Sequence, residues 1–293
     1  MRDTNSLPRT PRSPGWRPPR PGTVARRPRV KAPIAAVVLA AAMILGVRLD
    51  GTGTPGIPQE ATRTITIRGK QQTIHTVGTR GKQAIVVSSS DGGWVRLAPL
   101  IAGMLARRGF FVVGLDSKAY LESFTAKSST LTEADVPGDY AAVVEFAGSG
   151  SQPAPILLGV SEGAGLSVLA ATREDVKKRV QGVIAIGLPD ETELAWRWRD
   201  AIIYLTHGVP NEPTFSTASL VDRVAPVPFA VIHSSSDPFV PLDTIKAILA
   251  RAKEPKQLWT ITSSEHGFGD NEAEFESKLF QAIAWVNVQK RTS

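Results

Sequence analysis

PILLGVSEG, residues 155–163, sets an apolar run directly against Ser161, a serine flanked at two residues' distance by Gly159 and Gly163. Glycine is common after strands, so G-x-S-x-G by itself says little. It gains meaning where a buried strand ends and a helix begins. A sharp strand-to-helix turn puts the central residue in a strained conformation, and side chains at the flanking positions would collide across it. The rest of the chain has to supply that setting.

Outward from this stretch, short apolar runs recur at residues 84–89 (AIVVSS), 110–116 (FFVVGLD), 180–188 (VQGVIAIGL), 228–235 (PFAVIHSS) and 257–264 (QLWTITSS). Each has the length of a buried strand. Helical patterns lie between them. In residues 95–108, Leu97, Leu100, Ile101, Met104 and Leu105 share one face and Gly109 supplies a stop; from about Asn271, Phe275, Leu279, Ile283 and Val286 repeat the pattern. TRTITIRG and QQTIHTVG, residues 62–69 and 71–78, read as an opening hairpin turning at Gly69-Lys70. Helices between successive buried strands imply right-handed crossovers, a mainly parallel sheet flanked by helices, and ligands at the strands' carboxyl ends.

A serine hydroxyl needs a base, and the base an orienting carboxylate. Of four histidines, His75 precedes the serine, while His207 and His233 precede the best-placed acid. His233 also lies inside an apolar strand and reads as a core histidine. His266, in SSEHGFGD, follows the last predicted strand, and Asp237, in SSSDPFVP, follows the one before. The expected catalytic set is Ser161, Asp237 and His266, with Asp116 as the fallback acid. An oxyanion needs two donors. The backbone N–H of Glu162 is one candidate, and that of Gly92 or Gly93, in the SDGGW loop, is the other.

With 42% apolar residues in 293, the chain can bury one sizeable core. It has no cysteine, which excludes disulfides, thiolate catalysis, cysteine-ligated metals and a lipoprotein anchor. No metal or other cofactor is expected. The net charge of +7 is local: nine basic residues against Asp3 in residues 1–31 leave the remainder at −1, so the folded part carries no nucleic-acid footprint. Residues 1–31 read as a disordered, proline-rich basic tail. Residues 32–47, APIAAVVLAAAMILGV, are uncharged and read as a signal-anchor or a cleaved signal peptide. Residues 48–61 form a Gly/Pro linker, and 62–293 the folded domain. The cationic side stays in the cytoplasm and the domain is exported. It is expected to be held at the inner membrane with the domain in the periplasm, or soluble there if the segment is cut.

The blocks SSDGGWVRLAPLIAGMLARRGFFVVGLDSKAYLESF, GVSEGAG, HSSSDPFVP and EHGFGDN resemble the VirJ/AcvB group of exported bacterial proteins, over roughly residues 82–288. The resemblance implies an α/β-hydrolase fold, which here follows the one membrane segment read at residues 32–47. It also implies hydrolysis of the aminoacyl ester of lysyl- or other aminoacyl-phosphatidylglycerol at the outer face of the inner membrane. Asp91, Trp94 and Asp116 would then face the substrate, and Glu162, Asp91 and Asp116 are carboxylates suited to a cationic aminoacyl group; each carboxylate reads equally as solvated or capping. The cysteines often seen in the group are absent, and a single hydrolase-like domain fits. Residues 191–226 follow no pattern of the group; there Leu194, Trp196 and Trp198 alternate with Arg197 and Arg199, as in a strand or hairpin over the site, with core packing as the competing account. Two other functions remain open: a general periplasmic carboxylesterase or thioesterase, and a non-catalytic accessory to type IV secretion that contacts secretion-system components.

Overall fold

The computed structural model describes residues 59–150, 153–198 and 212–292. The basic tail, the apolar run, nearly all of the linker, His207 and Arg199 lie outside these residues. Among the described residues no helix is long and apolar enough to cross a membrane.

Eight strands form one sheet in the order β1-β2-β4-β3-β5-β6-β9-β10. β1 (Glu60–Ile67) and β2 (Lys70–Val77) make the expected hairpin, antiparallel to each other and to β4 (Phe111–Leu115). β1 begins inside the span read as linker. The rest is parallel: β3 (Ala84–Ser88), β4, β5 (Ile156–Val160), β6 (Gly182–Ile186), β9 (Phe229–Ser234) and β10 (Lys256–Ile261).

Each of β3, β4, β5, β6 and β9 is buried at every position. That is why they read as continuous apolar runs rather than alternating ones: both faces are covered. Ile85, Leu158, Ile184 and Ile232 point to a layer made by α1 (Leu97–Arg107) and α8 (Glu272–Thr292). Val86, Leu157, Val183 and Val231 point to the opposite layer, made by α2 (Ser117–Phe124), α3 (Val136–Gly148), α4 (Glu162–Ala170) and α7 (Leu242–Arg251). Single helical turns lie at α5 (Glu174–Lys177) and α6 (Thr217–Leu220), the latter running into a 3-10 turn at Val221–Arg223. The hairpin is tied down at its turn, where Arg68 forks onto Asp139 of α3 with Nε–Oδ1 and Nη2–Oδ2 both 2.7 Å.

From β3 the chain moves outward to β4, then crosses to β5 on β3's other side. The strand order reverses there, and the crevice beyond those carboxyl ends is where ligands bind in open α/β sheets. Residues 191–198 do not continue the alternation read from their sequence. Only β7 (Glu191–Glu193) is a strand, paired antiparallel with β8 (Thr214–Ser216). Leu194, Ala195 and Trp196 are buried in succession, which no alternating strand allows, whereas Trp198 is exposed with Lys118 Nζ 4.9 Å from its ring.

Candidate active site

Ser161 stands between β5 and α4 with φ 51° and ψ −116°, a conformation rare for any residue with a side chain. The flanking glycines have the steric role the pattern calls for. A Cβ on Gly159 would lie 2.1 Å from the carbonyl oxygen of Gly163, and one on Gly163 would lie 2.4 Å from that of Ser89. The Ser161 amide donates to Ile186 O at the end of β6 (2.8 Å).

Asp237 and His266 come from the loops after β9 and β10. Nδ1–H of His266 donates to Asp237 Oδ2 at 2.6 Å, and the imidazole sits so close over Gly187 that a Cβ there would be 2.6 Å from Cε1. Gly187 follows Ile186, so the Ser161 backbone and the His266 imidazole both lie against the carboxyl end of β6. Asp237 Oδ1 accepts the amides of Phe239 (2.8 Å) and Val240 (3.0 Å). Burial pushes this carboxyl up; His266 and the two amides push harder the other way and hold it below its ordinary value. His233 is the core histidine its strand suggested. It is fully buried, its Nε2–H donates to Val240 O (2.9 Å), and burial holds the ring below its ordinary pKa. It thereby braces the loop that carries Asp237.

The loop after β3 differs from expectation in its donors. Gly93 N donates to Ser90 O (3.0 Å) and Gly92 N to Ser90 Oγ (3.3 Å), so both glycine amides close the turn. In this loop and in the first turn of α4, the amides of Asp91 and Glu162 make no hydrogen bond among the described residues. The carboxylates are also engaged. Asp116 caps α2 through Oδ1 to Ala119 N (2.9 Å) and accepts Trp94 N through Oδ2 (3.1 Å). The Glu162 side chain is buried and accepts the Glu193 amide of β7. Burial, with the neighbouring charges of Glu193 and Asp91, drives its carboxyl well above the usual range, against the pull of that amide. Asp91 lines the cleft; Trp94 does not.

That cleft, of about 920 Å³, opens between the start of α1 and the 264–272 loop. Val95, Leu97, Leu100, Val160 and Phe239 give it apolar walls, and His266 faces it. Its size is within the range of small-molecule sites. Among the described residues no cluster of His, Asp or Glu could hold a metal ion.

The sheet order, the strand-turn-helix at Ser161 and the two-layer covering define an α/β-hydrolase fold. Solved structures of that kind superpose on it: an α/β hydrolase, GrgF, from Penicillium sp. sh18 (TM-score 0.59, 14% identity, 80% of this chain and 99% of that one) and the naproxen esterase of Bacillus subtilis (0.59, 13%, 77% and 92%). A membrane phospholipase A described as a bacterial virulence factor also superposes (0.52, 13%, 78% and 86%). Residues 82–199 match the family model of the bacterial virulence protein VirJ, and the chain is a VirJ-like α/β-hydrolase-fold protein. The match takes in the SDGGW loop and Ser161 and stops short of Asp237 and His266. No curated protein matches the chain.

Proposed function

We propose that the chain is a serine hydrolase of carboxylic esters. The observation that carries this reading is the convergence of a serine at φ 51° and a histidine hydrogen-bonded to a buried aspartate on the same sheet edge. In it, Ser161 Oγ attacks the ester carbonyl while His266 Nε2 takes its proton. Asp237 fixes the tautomer and stabilises the imidazolium. The amides of Asp91 and Glu162 receive the developing oxyanion. His266 then returns the proton to the leaving alcohol, and water releases the acyl group by the same steps in reverse order.

The substrate we propose is the aminoacyl ester of an aminoacyl-phosphatidylglycerol, presented at the periplasmic face of the inner membrane to which residues 32–47 tether the domain. The likeness to VirJ, the apolar walls of the cleft and the carboxylates of Asp91, Glu265 and Glu272 around it support that choice. The test is the full-length protein in mild detergent, assayed on aminoacyl-phosphatidylglycerols and simple p-nitrophenyl esters, with a fluorophosphonate as active-site label. Labelling confined to Ser161 and selective release of the amino acid are expected. Hydrolysis of simple esters alone would leave a general esterase. No labelling and no hydrolysis would overturn the enzyme reading in favour of a secretion accessory.

A further inference from the structure

Three residues outside the catalytic set form one connected group with the oxyanion loop. The Trp94 indole lies flat on the His75 imidazole, with centroids 4.6 Å apart and planes 12° from parallel. Its Nε1–H donates to Glu60 Oε1 (3.0 Å), and the same oxygen takes His75 Nδ1–H (2.6 Å). The indole crosses β4 at Gly114, where a Cβ would lie 2.1 Å from the ring; only the missing side chain lets it lie there. At its other end, Trp94 N donates to Asp116 Oδ2 (3.1 Å). Trp94 is therefore held at backbone and ring tip alike, and it ends the Ser90–Gly93 turn that contains the Asp91 amide.

We infer that Glu60 and His75, on the N-terminal hairpin, are positioning residues: they clamp Trp94 and through it hold the Asp91 N–H where an oxyanion forms. This rests on the hydrolase reading. An oxyanion donor works only when it is already aimed at the site, and removing one donor costs about 10²–10³ in kcat. A loop of serine and glycine has little rigidity of its own, so its geometry must come from what grips it. The hairpin suits that task, since it pairs over eight residues and its turn is forked onto Asp139. The Glu60–His75 pair is partly exposed, at 42% and 18% of side-chain surface, so its effect on stability is small. An effect on turnover larger than that separates positioning from mere support.

The experiment uses the full-length chain in detergent with a short p-nitrophenyl ester. In Glu60→Ala, His75→Ala and Trp94→Phe, kcat should fall by about 10- to 100-fold, less than outright loss of the donor would cost, with KM nearly unchanged and Tm within a few degrees. Glu60→Gln, which keeps an acceptor oxygen, should restore most of the loss seen in Glu60→Ala. If His75→Ala fails to fold, Trp94→Phe and Glu60→Gln, which keep the ring and the acceptor, decide the matter. Wild-type turnover in Glu60→Ala and Trp94→Phe would overturn the inference while leaving the hydrolase standing. A wild-type protein that neither turns over ester nor reacts with fluorophosphonate would overturn the hydrolase, and the inference with it.

Discussion

Ser161 holds a backbone conformation that costs about 1–3 kcal/mol for a residue with a Cβ. The amide bond to Ile186 and the fit of Gly159 and Gly163 against their neighbours keep it there. Two substitutions separate chemistry from strain. Ser161→Ala should remove turnover by several orders of magnitude at nearly unchanged Tm, since the proposed nucleophile is lost while the hydroxyl contributes little to packing. Ser161→Gly should be equally inactive yet more stable than Ser161→Ala. Relief of strain exceeds the roughly 0.5–1 kcal/mol that glycine's extra freedom in the unfolded chain costs. Thermal melts of the two variants side by side check this, and an equal or lower Tm for the glycine variant would refute the strain. At the acid, Asp237→Asn should leave His266 in the wrong tautomer and lower kcat by up to about 10⁴ without loss of fold. Steady-state kinetics with circular dichroism on the same sample would show whether both halves hold.

Among the elements, the contact between α4 and the β7-β8 pair has chemistry that depends on pH. Glu162 is buried and accepts the Glu193 amide, and its folded-state pKa is raised well above the ordinary 4.5. The native state therefore binds this proton more tightly than the unfolded chain does. Its contribution to stability is fully present below the unfolded pKa and is lost as pH rises toward the folded one, at about 1.4 kcal/mol per unit of separation. Glu162→Gln keeps an acceptor for Glu193 N–H and cannot ionise. It should match the wild type in Tm near pH 4 and exceed it increasingly toward pH 8; parallel melting curves across that range would refute a buried, protonated Glu162. The contact between α4 and β3 is steric instead. Gly163→Ala would drive a Cβ into the Ser88 and Ser89 carbonyls, at 2.5 and 2.4 Å, and should cost about 1–3 kcal/mol by forcing the helix off the sheet. Chemical denaturation of the variant measures that cost directly.

For the whole molecule, the arrangement we propose is a periplasmic domain tethered by residues 32–47, with the arginine-rich tail in the cytoplasm. A reporter fused after Ser293 should work only where it requires export, and the full-length chain should stay with membranes after carbonate extraction. A soluble species beginning near residues 48–60 would mean that the apolar segment is cut, and would remove tethering as support for a lipid substrate.

The sheet was legible in the sequence because strands covered on both faces must be apolar throughout, and a run of five such residues between helical patterns has few other uses. Ser161 was legible because a turn this sharp has room only for glycine at its flanks. His266 and Asp237 could be chosen from order along the chain, yet their pairing across 29 residues is a fact of two loops meeting at one sheet edge. Which amides remain free in the loop after β3, the burial of Glu162 beneath β7, and the grip of Glu60 and His75 on Trp94 left no local signature. Each is settled by the distance between atoms far apart in sequence, and only packing of the hairpin, the loop and α4 onto one sheet fixes those distances.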